Sequence, residues 1–227
     1  LLSRWMPEGI CGRTLKTDLF DEAVTDGLYP VLAERSRVVL GLDVAPAVLK
    51  AAHGRYRALD VVGADVRSLP FESGSIDCVV SLSTLDHFDA RADISIALAE
   101  LHRVLKPGGV LILTLDNLAN PVVALRNSLP FALTHGAGLV PYPMGKTHGP
   151  RSATNVVNAA GFDVRECTTV MHAPRVLAIP VMSALGSNAM PRVQRALSSL
   201  AMSFEFMQRL PLWKFTGHFV AIRAVKA

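Results

Sequence analysis

The sequence lacks several features that would assign it to a common functional class. Its three cysteines, Cys11, Cys78 and Cys167, are far apart and have no metal-ligand spacing. They therefore predict neither a zinc site nor a disulfide framework, and an odd, scattered set is typical of a reducing compartment. No apolar run approaches the ~18 residues of a membrane span, and the first residues lack the apolar core of a signal peptide. We expect a cytoplasmic protein.

Clustered charge and metal-type histidine spacing are absent too. The net charge of +4 is spread along the chain, and the largest basic pieces are isolated pairs such as Arg35 with Arg37. A dedicated nucleic-acid surface needs a basic cluster or stripe, so no nucleic-acid partner is expected. No two histidines stand four residues apart or at another short spacing, and we expect no metal ion.

The segment after the first predicted strand contains no glycine. That strand is predicted at 13–15, and K-T-D-L-F follows it. Dinucleotide enzymes need a G-x-G-x-x-G turn here so that backbone N–H groups can approach the pyrophosphate, and a G-x-x-x-x-G-K-S phosphate loop is absent as well. The acidic Asp18 would also repel phosphate. A nicotinamide-dependent oxidoreductase is therefore the least favoured function, and the crevice suits a positively charged nucleoside without phosphate.

What the sequence does contain is a strand, a carboxylate and a helix in direct succession. The apolar run 38–42 has no helical alternation, as expected of a parallel strand buried on both faces. Asp43 ends this strand, and Pro46 opens a helical pattern at a position where proline is tolerated. An acid placed in this way commonly binds the ribose hydroxyls of a nucleoside cofactor. The alternative is that Asp43 stabilises the helix N-terminus through the helix dipole.

Strands and helices alternate through most of the chain, which predicts an α/β fold with a Rossmann-like, doubly wound, mostly parallel sheet. One domain of 1–227 accounts for the length, with a cofactor-binding half at 12–117 and a substrate lid with the final strands at 118–227. An amphipathic helix is expected at 93–105, ended by Pro107-Gly108-Gly109. A long loop at 118–150 is expected to contain one short helix, at 122–128. The predicted strands are 13–15, 38–42, 60–63, 76–81, 110–115, 162–170 and 217–225.

Polar residues end the first five predicted strands, and in such sheets these ends line one ligand crevice. S-adenosylmethionine matches the crevice because it combines adenosine, a sulfonium and a zwitterionic amino-acid tail. Asp43 would take the ribose hydroxyls, and Asp65 with the Val66 backbone would read the adenine edge. The candidate cofactor-binding residues are Lys16, Thr17, Asp18, Asp43, Val44, Asp65, Val66 and Ser81.

The segment after the first strand would serve the amino-acid tail of this cofactor. Lys16 or Thr17 would meet the methionine carboxylate, and Asp18 would meet the amine. Asp18 has a second interpretation as the N-cap of the following helix, because an aspartate oxygen readily accepts a hydrogen bond from the first helical N–H groups. The two roles are compatible with each other.

Five segments resemble, in order, the motifs of class I S-adenosylmethionine-dependent methyltransferases. They are G-L-D-V-A-P-A-V-L-K-A-A, G-A-D-V-R-S-L-P-F, S-I-D-C-V-V-S, L-D-H-F and E-L-H-R-V-L-K-P-G-G-V-L-I-L-T, within about 13–115. The chain is most similar to the subgroup of ubiquinone and menaquinone biosynthesis methyltransferases and their small-molecule relatives. The resemblance implies a seven-stranded sheet with an antiparallel last strand.

The first motif of that family departs from its usual form in this chain. The glycine-rich pattern D-x-G-x-G-x-G is replaced by K-T-D-L-F-D-E-A at 16–23. A variant cofactor loop is the favoured interpretation, because the other cofactor positions match. The rival is a catalytically silent member of the family, which keeps the fold as a binding or regulatory protein.

Methyl transfer from a sulfonium is a direct displacement that needs a base only when the acceptor must lose a proton. His87, aided by Asp86, is the candidate base, because the two follow the fourth predicted strand at the crevice. The alternative is that His87 caps the next loop by hydrogen bonding. Four further residues are candidate substrate contacts, each with a purely structural role in its loop as the alternative: Asn117, His148, His172 and Arg175.

The second half of the chain is expected to cover the acceptor site. Residues 118–150 and two apolar helical patterns at 176–209 would form a lid rich in methionine and aliphatic side chains, which adapt to irregular apolar ligands. The expected acceptor is therefore a small apolar or aromatic molecule, and these helices would permit loose membrane association.

Overall fold

The computed structural model describes residues 1–136, 145–173, 199 and 202–227. One seven-stranded sheet runs through them in the order β3-β2-β1-β4-β5-β7-β6. The pairs from β3 through to β5 are parallel, whereas β7 is antiparallel to both β5 and β6. The predicted Rossmann-like sheet with a reversed last strand is confirmed. The strands are β1 Cys11–Lys16, β2 Ser36–Asp43, β3 Asp60–Gly63, β4 Ile76–Leu82, β5 Leu105–Asp116, β6 Phe162–Val170 and β7 Phe219–Lys226.

The helices pack on both faces of this sheet. Among the described residues, none of them is both long and apolar enough to cross a membrane. Short 3₁₀ turns occur at Leu85–His87 and Phe204–Arg209. The α-helices are α1 Leu2–Trp5, α2 Phe20–Val24, α3 Tyr29–Ala33, α4 Pro46–Arg55, α5 Arg91–Val104, α6 Pro121–Ser128, α7 Phe131–Gly136, α8 Pro150–Ala159 and α9 Trp213–Thr216.

Alternate residues of the central strands point to two separate hydrophobic cores. In β4, Val79 packs on the side of α5 and α8, whereas Cys78 and Val80 pack on the side of α1, α3 and α4. Both faces are therefore covered, as the uninterrupted apolar pattern of the parallel strands predicts. The helices of the two cores cover the faces of the sheet. A ligand site is expected at the edge formed by the carboxyl ends of the strands.

Two sequence predictions differ from the structure. The segment Pro107-Gly108-Gly109 does not separate α5 from the next strand, because β5 already begins at Leu105, which pairs with Ile76. The register shifts between Ile76 and Cys78, and Gly108 has φ +74°, so the segment is an irregularity within the strand. The expected long loop also contains α7, which the sequence analysis missed. Most of the apolar stretch 176–209 lies outside the described residues.

Candidate functional site

The strand register brings the predicted cofactor residues together at one edge of the sheet. Lys16, the last residue of β1, pairs with Gly41 on one side and with Val80 on the other. Asp43 at the end of β2 pairs with Gly63 at the end of β3. The strand order reverses between β1 and β4, and such switch points are where ligands bind in open α/β sheets.

The loop after β1 is built around a buried ion pair. Lys16 Nζ lies 2.7 Å from Glu22 Oε2, and the two side chains are only 5% and 0% exposed. Lys16 also donates to the carbonyl oxygen of Asp18, and Glu22 accepts a 2.8 Å hydrogen bond from the Leu28 N–H. The ammonium group thus faces Glu22 in the structure, whereas the sequence analysis expected Lys16 or Thr17 to face a cofactor carboxylate.

Glu22 is the residue of this loop that the sequence analysis missed. Its side chain fills the space beside Gly27, where an added Cβ would lie 2.6 Å from the Glu22 carboxyl group. Gly27 has φ +56°, a conformation that suits glycine. The close approach of Glu22 and the positive φ both require glycine at this turn. Glu22 is the buried residue of the short helix α2, and the sequence gives little sign of this, because an acid in a short helix usually faces solvent.

Asp43 links the loop after β1 to the end of β2. Its Oδ2 accepts the Leu19 N–H at 3.1 Å, and its Oδ1 accepts the Ala45 N–H at 2.8 Å. A carboxylate has about four acceptor positions, so further donors such as ribose hydroxyls fit beside these two bonds. The hydrogen bond to Ala45 just before α4 also agrees with a role at the helix start. The neighbouring Val44 is 70% exposed.

Asp18 and Thr17 occupy the same edge. The Asp18 Oδ1 accepts a 2.8 Å hydrogen bond from the N–H of Phe20, the first residue of α2, which is the capping-type contact that the sequence allows. Burial raises the pKa of Asp18, against the effects of that hydrogen bond and of Lys16. Thr17 Oγ1 lies 2.9 Å from the hydroxyl oxygens of both Ser81 and Thr84. These hydrogen bonds join the carboxyl ends of β1 and β4.

Asp65 follows β3 and is paired with a neighbouring cation. Arg67 Nη2 lies 2.6 Å from Asp65 Oδ2, and Arg67 Nη1 lies 3.2 Å from Asp93. The hydrogen bond from Arg67 is the main cause of the lowered pKa of Asp65. Val66 is buried, so a ligand would meet its backbone rather than its side chain. The carboxylate of Asp65 is therefore charged and already accepts hydrogen bonds from Arg67.

The predicted acceptor side of the crevice, beyond the ends of β4 and β5, holds two buried carboxylates. Asp86, 1% exposed, accepts hydrogen bonds from the Asp116 N–H at 2.8 Å and from the Ser83 hydroxyl. Asp116 is ion-paired with Arg126 on α6, and His218 Nε2 lies 3.4 Å from its Oδ1. Ser83 has φ +51°, a conformation that costs energy in a residue with a side chain and that is common at functional sites.

The pKa values of the two carboxyl groups are shifted in opposite directions. Burial, and then the nearby charge of Asp116, raises the pKa of Asp86. Burial alone would also raise the pKa of Asp116, but the neighbouring His218 and Arg126 outweigh it and hold the pKa below its usual value. Two neighbouring carboxyl groups whose pKa values are pushed apart by their surroundings are an arrangement common in catalytic sites.

Replacing Asp86 by asparagine is expected to raise the free energy of unfolding at pH 7. Because the folded-state pKa of Asp86 is raised, its favourable neutral form is fully present below the unfolded pKa and is lost as the pH rises through the folded pKa. Asparagine mimics that neutral form and keeps an oxygen for the Asp116 N–H. Urea unfolding at pH 7 and at about pH 3, below the ordinary aspartate pKa, should show the gain only at pH 7.

The matched control for that change is Asp77→Asn on the opposite edge of the sheet. Burial opposes ionisation of Asp77, but the ion pair with Lys106 and the hydrogen bond from the Arg13 N–H lower its pKa. Its stabilising charge is present above the unfolded pKa, so Asp77→Asn should be less stable than wild type at pH 7. A loss of stability at pH 7 in Asp86→Asn as well would contradict the assignment of Asp86 as the destabilised acid.

His148 reaches the acceptor side from the segment after the undescribed residues 137–144. Its backbone bridges to Asn117, and the Thr147 hydroxyl donates to the Asp116 carbonyl oxygen. The ring is 8% exposed, and its Nε2 is buried without a hydrogen-bond partner in the described part of the chain. Burial, and then the charge of Arg91, lowers the pKa of His148. A neutral imidazole with a spare nitrogen can bind a polar atom of a ligand.

The remaining predicted substrate residues differ in their surroundings. His87 is exposed, directly after the buried Asp86. Asn117 donates to the carbonyl oxygens of Lys214 and Gly217. Both ring nitrogens of His172 lie within hydrogen-bond distance of protein groups, which favours the structural alternative for this residue. Arg175 lies outside the described residues. Across the described ranges, no group of three or more histidine, cysteine, aspartate or glutamate side chains could hold a metal ion.

Residues 24–113 match the sequence model of a known family, described as a methyltransferase domain. This match and the strand order support a class I S-adenosylmethionine-dependent methyltransferase domain. The matched region of this methyltransferase domain begins at Val24, so β1 and the glycine-free loop lie outside it. The predicted resemblance to this family is confirmed over the matched residues, and the departure in the first motif lies in the unmatched part.

Two curated relatives and one solved structure show how far the similarity extends. A probable S-adenosylmethionine-dependent methyltransferase of Mycolicibacterium smegmatis is 26% identical over 168 residues, which cover 74% of this chain and 60% of that one. Demethylmenaquinone methyltransferase of Thermus thermophilus is 39% identical over 94 residues, covering 39% of this chain and 41% of that one. The predicted similarity to menaquinone-type enzymes is thus partly supported, over a shorter stretch.

The likeness in fold to solved methyltransferase structures is more extensive than the likeness in sequence. Phosphoethanolamine N-methyltransferase 2 of Haemonchus contortus, solved with phosphomonomethylethanolamine and S-adenosylhomocysteine, superposes with a TM-score of 0.65 at 18% identity. The superposition covers 99% of this chain and 51% of that one. At this identity the likeness concerns the fold alone.

Proposed function

We propose that the protein transfers a methyl group from S-adenosylmethionine to a small acceptor. The observation that carries this proposal is the position of Asp43. Its carboxylate ends β2, the strand next to the switch point between β1 and β4, and accepts a hydrogen bond from the Leu19 N–H in the loop after β1. The crevice beside it has a second acid, Asp18, and no glycine-rich phosphate turn, which suits a cationic nucleoside.

The residues at this edge fit the cofactor chemically. Asp43 would accept the ribose hydroxyls with the acceptor positions that its two backbone bonds leave. Asp18 would accept the amine of the methionine tail, because it adds negative charge beside the same loop. The adenine edge would meet Asp65 and the Val66 backbone at the end of β3. Thr17 offers a hydroxyl, already joined to Ser81, for the methionine carboxylate.

When bound, the sulfonium supplies an electrophilic methyl group. The work of the protein is alignment: an acceptor lone pair must lie in line with the carbon–sulfur bond as that bond breaks. His87 would take the proton of an acceptor hydroxyl or acidic carbon. Asp86, the preceding residue, would help to orient this step, since its buried carboxyl group is fixed by Ser83 and the Asp116 N–H. The Nε2 of His148, which has no hydrogen-bond partner among the described residues, would be a further contact for a polar atom of the acceptor.

An apolar or aromatic acceptor is favoured by the surface around this side of the crevice. Side chains of Val122 and Leu125 on α6 and of Phe131 and Leu133 on α7 are exposed. The hydrogen bond from Asn120 Nδ2 to Thr216 joins the start of α6 to α9, where Phe215 is also exposed. Such a surface would accept an apolar molecule or rest loosely on a membrane. A cytoplasmic location agrees with free cysteines in the described chain.

Mass spectrometry of a metabolite extract incubated with the protein and methyl-labelled S-adenosylmethionine tests this function. The expected result is a labelled small molecule that appears only with the intact protein. The mass and fragmentation of that product would identify the acceptor and the methylated atom. Label found only in nucleic acid would contradict the proposed acceptor class.

The altered loop at 16–23 favours a second function, a catalytically silent binding or regulatory protein. In that case the protein would bind S-adenosylmethionine or its product without forming any labelled metabolite. Saturable cofactor binding together with turnover excludes this alternative.

A further inference from the structure

The loop after β1 obtains its shape without glycine. No residue between 16 and 26 has a positive φ, so every residue there follows a path that any L-amino acid can adopt. The usual glycine-rich form of this motif owes its shape to the free φ angles of glycine. In this chain, side-chain contacts must hold the loop instead, and the Lys16–Glu22 ion pair is a buried one among them.

The pair fastens three points of the segment. Lys16 is the last residue of β1 and donates to the Asp18 carbonyl, which fixes the turn that carries the Asp18 carboxylate. Glu22 accepts the Leu28 N–H just before α3, so it ties the far end of the segment to the same point. A buried ion pair persists only when its geometry is good and further hydrogen bonds satisfy both groups, and both conditions hold here.

We propose that Lys16 and Glu22 are positioning residues that hold Asp18 where it receives the amino group of the cofactor's methionine tail. This proposal rests on the proposed function. The contacts of the pair reach Asp18 and Leu28 but neither Asp43 nor Asp65, which would serve the adenosine half from β2 and β3. Loss of the pair should therefore weaken recognition of the amino-acid tail and leave recognition of the nucleoside unchanged.

The test compares two ligands on the variant Lys16→Met/Glu22→Gln. S-adenosylhomocysteine carries the amino-acid tail, whereas 5′-methylthioadenosine has the same nucleoside and sulfur without it. The double change leaves no unpaired buried charge, and glutamine keeps an oxygen for the Leu28 N–H, so the fold should survive. Calorimetry should show S-adenosylhomocysteine binding weakened by about tenfold or more, the size of a lost hydrogen bond to a charged group, and unchanged binding of 5′-methylthioadenosine.

The matched control is Lys106→Met/Asp77→Asn. That pair joins β5 to β4 at 2.6 Å on the opposite edge of the sheet, and asparagine keeps an oxygen for the Arg13 N–H. The control should bind both ligands like wild type. Thermal unfolding of both variants shows whether each is folded at the temperature of the titration.

Three results would overturn the proposal. Unchanged S-adenosylhomocysteine affinity in the folded variant would show that the pair does not position the tail site. Equal losses for the two ligands would show that it supports the whole crevice. Failure of wild type to bind S-adenosylhomocysteine would overturn the proposed function and this proposal with it. If Lys16→Met/Glu22→Gln does not fold, Lys16→Arg is tested in its place. Arginine retains the ion pair with Glu22 but shifts the position of the group that donates to the Asp18 carbonyl, and the same selective loss of S-adenosylhomocysteine affinity is expected.

Discussion

Replacing Asp43 by alanine is expected to weaken S-adenosylhomocysteine binding by roughly 1–3 kcal/mol, which is about fivefold to 150-fold in dissociation constant. The ribose hydroxyls would lose their acceptor. The N–H groups of Leu19 and Ala45 would lose theirs as well, so the loop that adjoins the cofactor would be released from β2. Isothermal titration of the folded variant measures the change.

Two further variants separate these effects. Asp43→Asn keeps one carbonyl oxygen and can therefore hold one of the two backbone N–H groups, so its loss should be smaller than that of Asp43→Ala. Asp60→Ala removes an exposed aspartate at the opposite end of β3 and should bind like wild type. Unchanged affinity in folded Asp43→Ala would remove Asp43 from the cofactor site.

Replacing His87 by alanine is expected to reduce turnover by about a hundredfold or more while cofactor affinity stays nearly the same. The factor is the lower range for the loss of a positioned general base. His87 is exposed and follows β4, whereas the three acids proposed to bind the cofactor, Asp18, Asp43 and Asp65, lie at the ends of β1, β2 and β3. The initial rate of label transfer to the identified metabolite and calorimetry with S-adenosylhomocysteine measure the two quantities.

The control for His87→Ala is His53→Ala on α4, whose ring contacts the Leu59 carbonyl far from the crevice. His53→Ala should leave turnover unchanged. Equal losses of turnover and cofactor affinity in His87→Ala would indicate that His87 supports the loop structurally. Full turnover in His87→Ala would exclude His87 as the base. His148 would then be the next candidate, because its Nε2 is buried without a hydrogen-bond partner among the described residues.

The sequence predicted the sheet well because its signals are local. The apolar runs, the acid after β2 and the proline that opens α4 place β2 and α4 within a few residues of their observed ends. β3 and β6 agree in both bounds. The start of β5 was missed because its first residues include a proline and two glycines, which predict a turn; pairing with β4 overrides that local preference.

The candidate site was predicted only where its residues follow strands. Asp43, Asp18 and Asp86 were found from their positions at strand ends. Glu22 was not, because its partner Lys16 is identified only when the loop is folded. The contacts of Asp116 were missed for a similar reason. Arg126 on α6 and His218, the residue before β7, are distant from Asp116 in sequence and meet it only in the folded chain.

Calorimetric titration of the intact wild-type protein with S-adenosylmethionine tests the central claim most directly. The account predicts saturable binding at one site, with a dissociation constant between about 1 μM and 1 mM, the range in which enzymes usually meet their substrates. The absence of detectable binding by the folded protein would contradict both the proposal that the glycine-free loop binds the cofactor and the proposed methyl transfer.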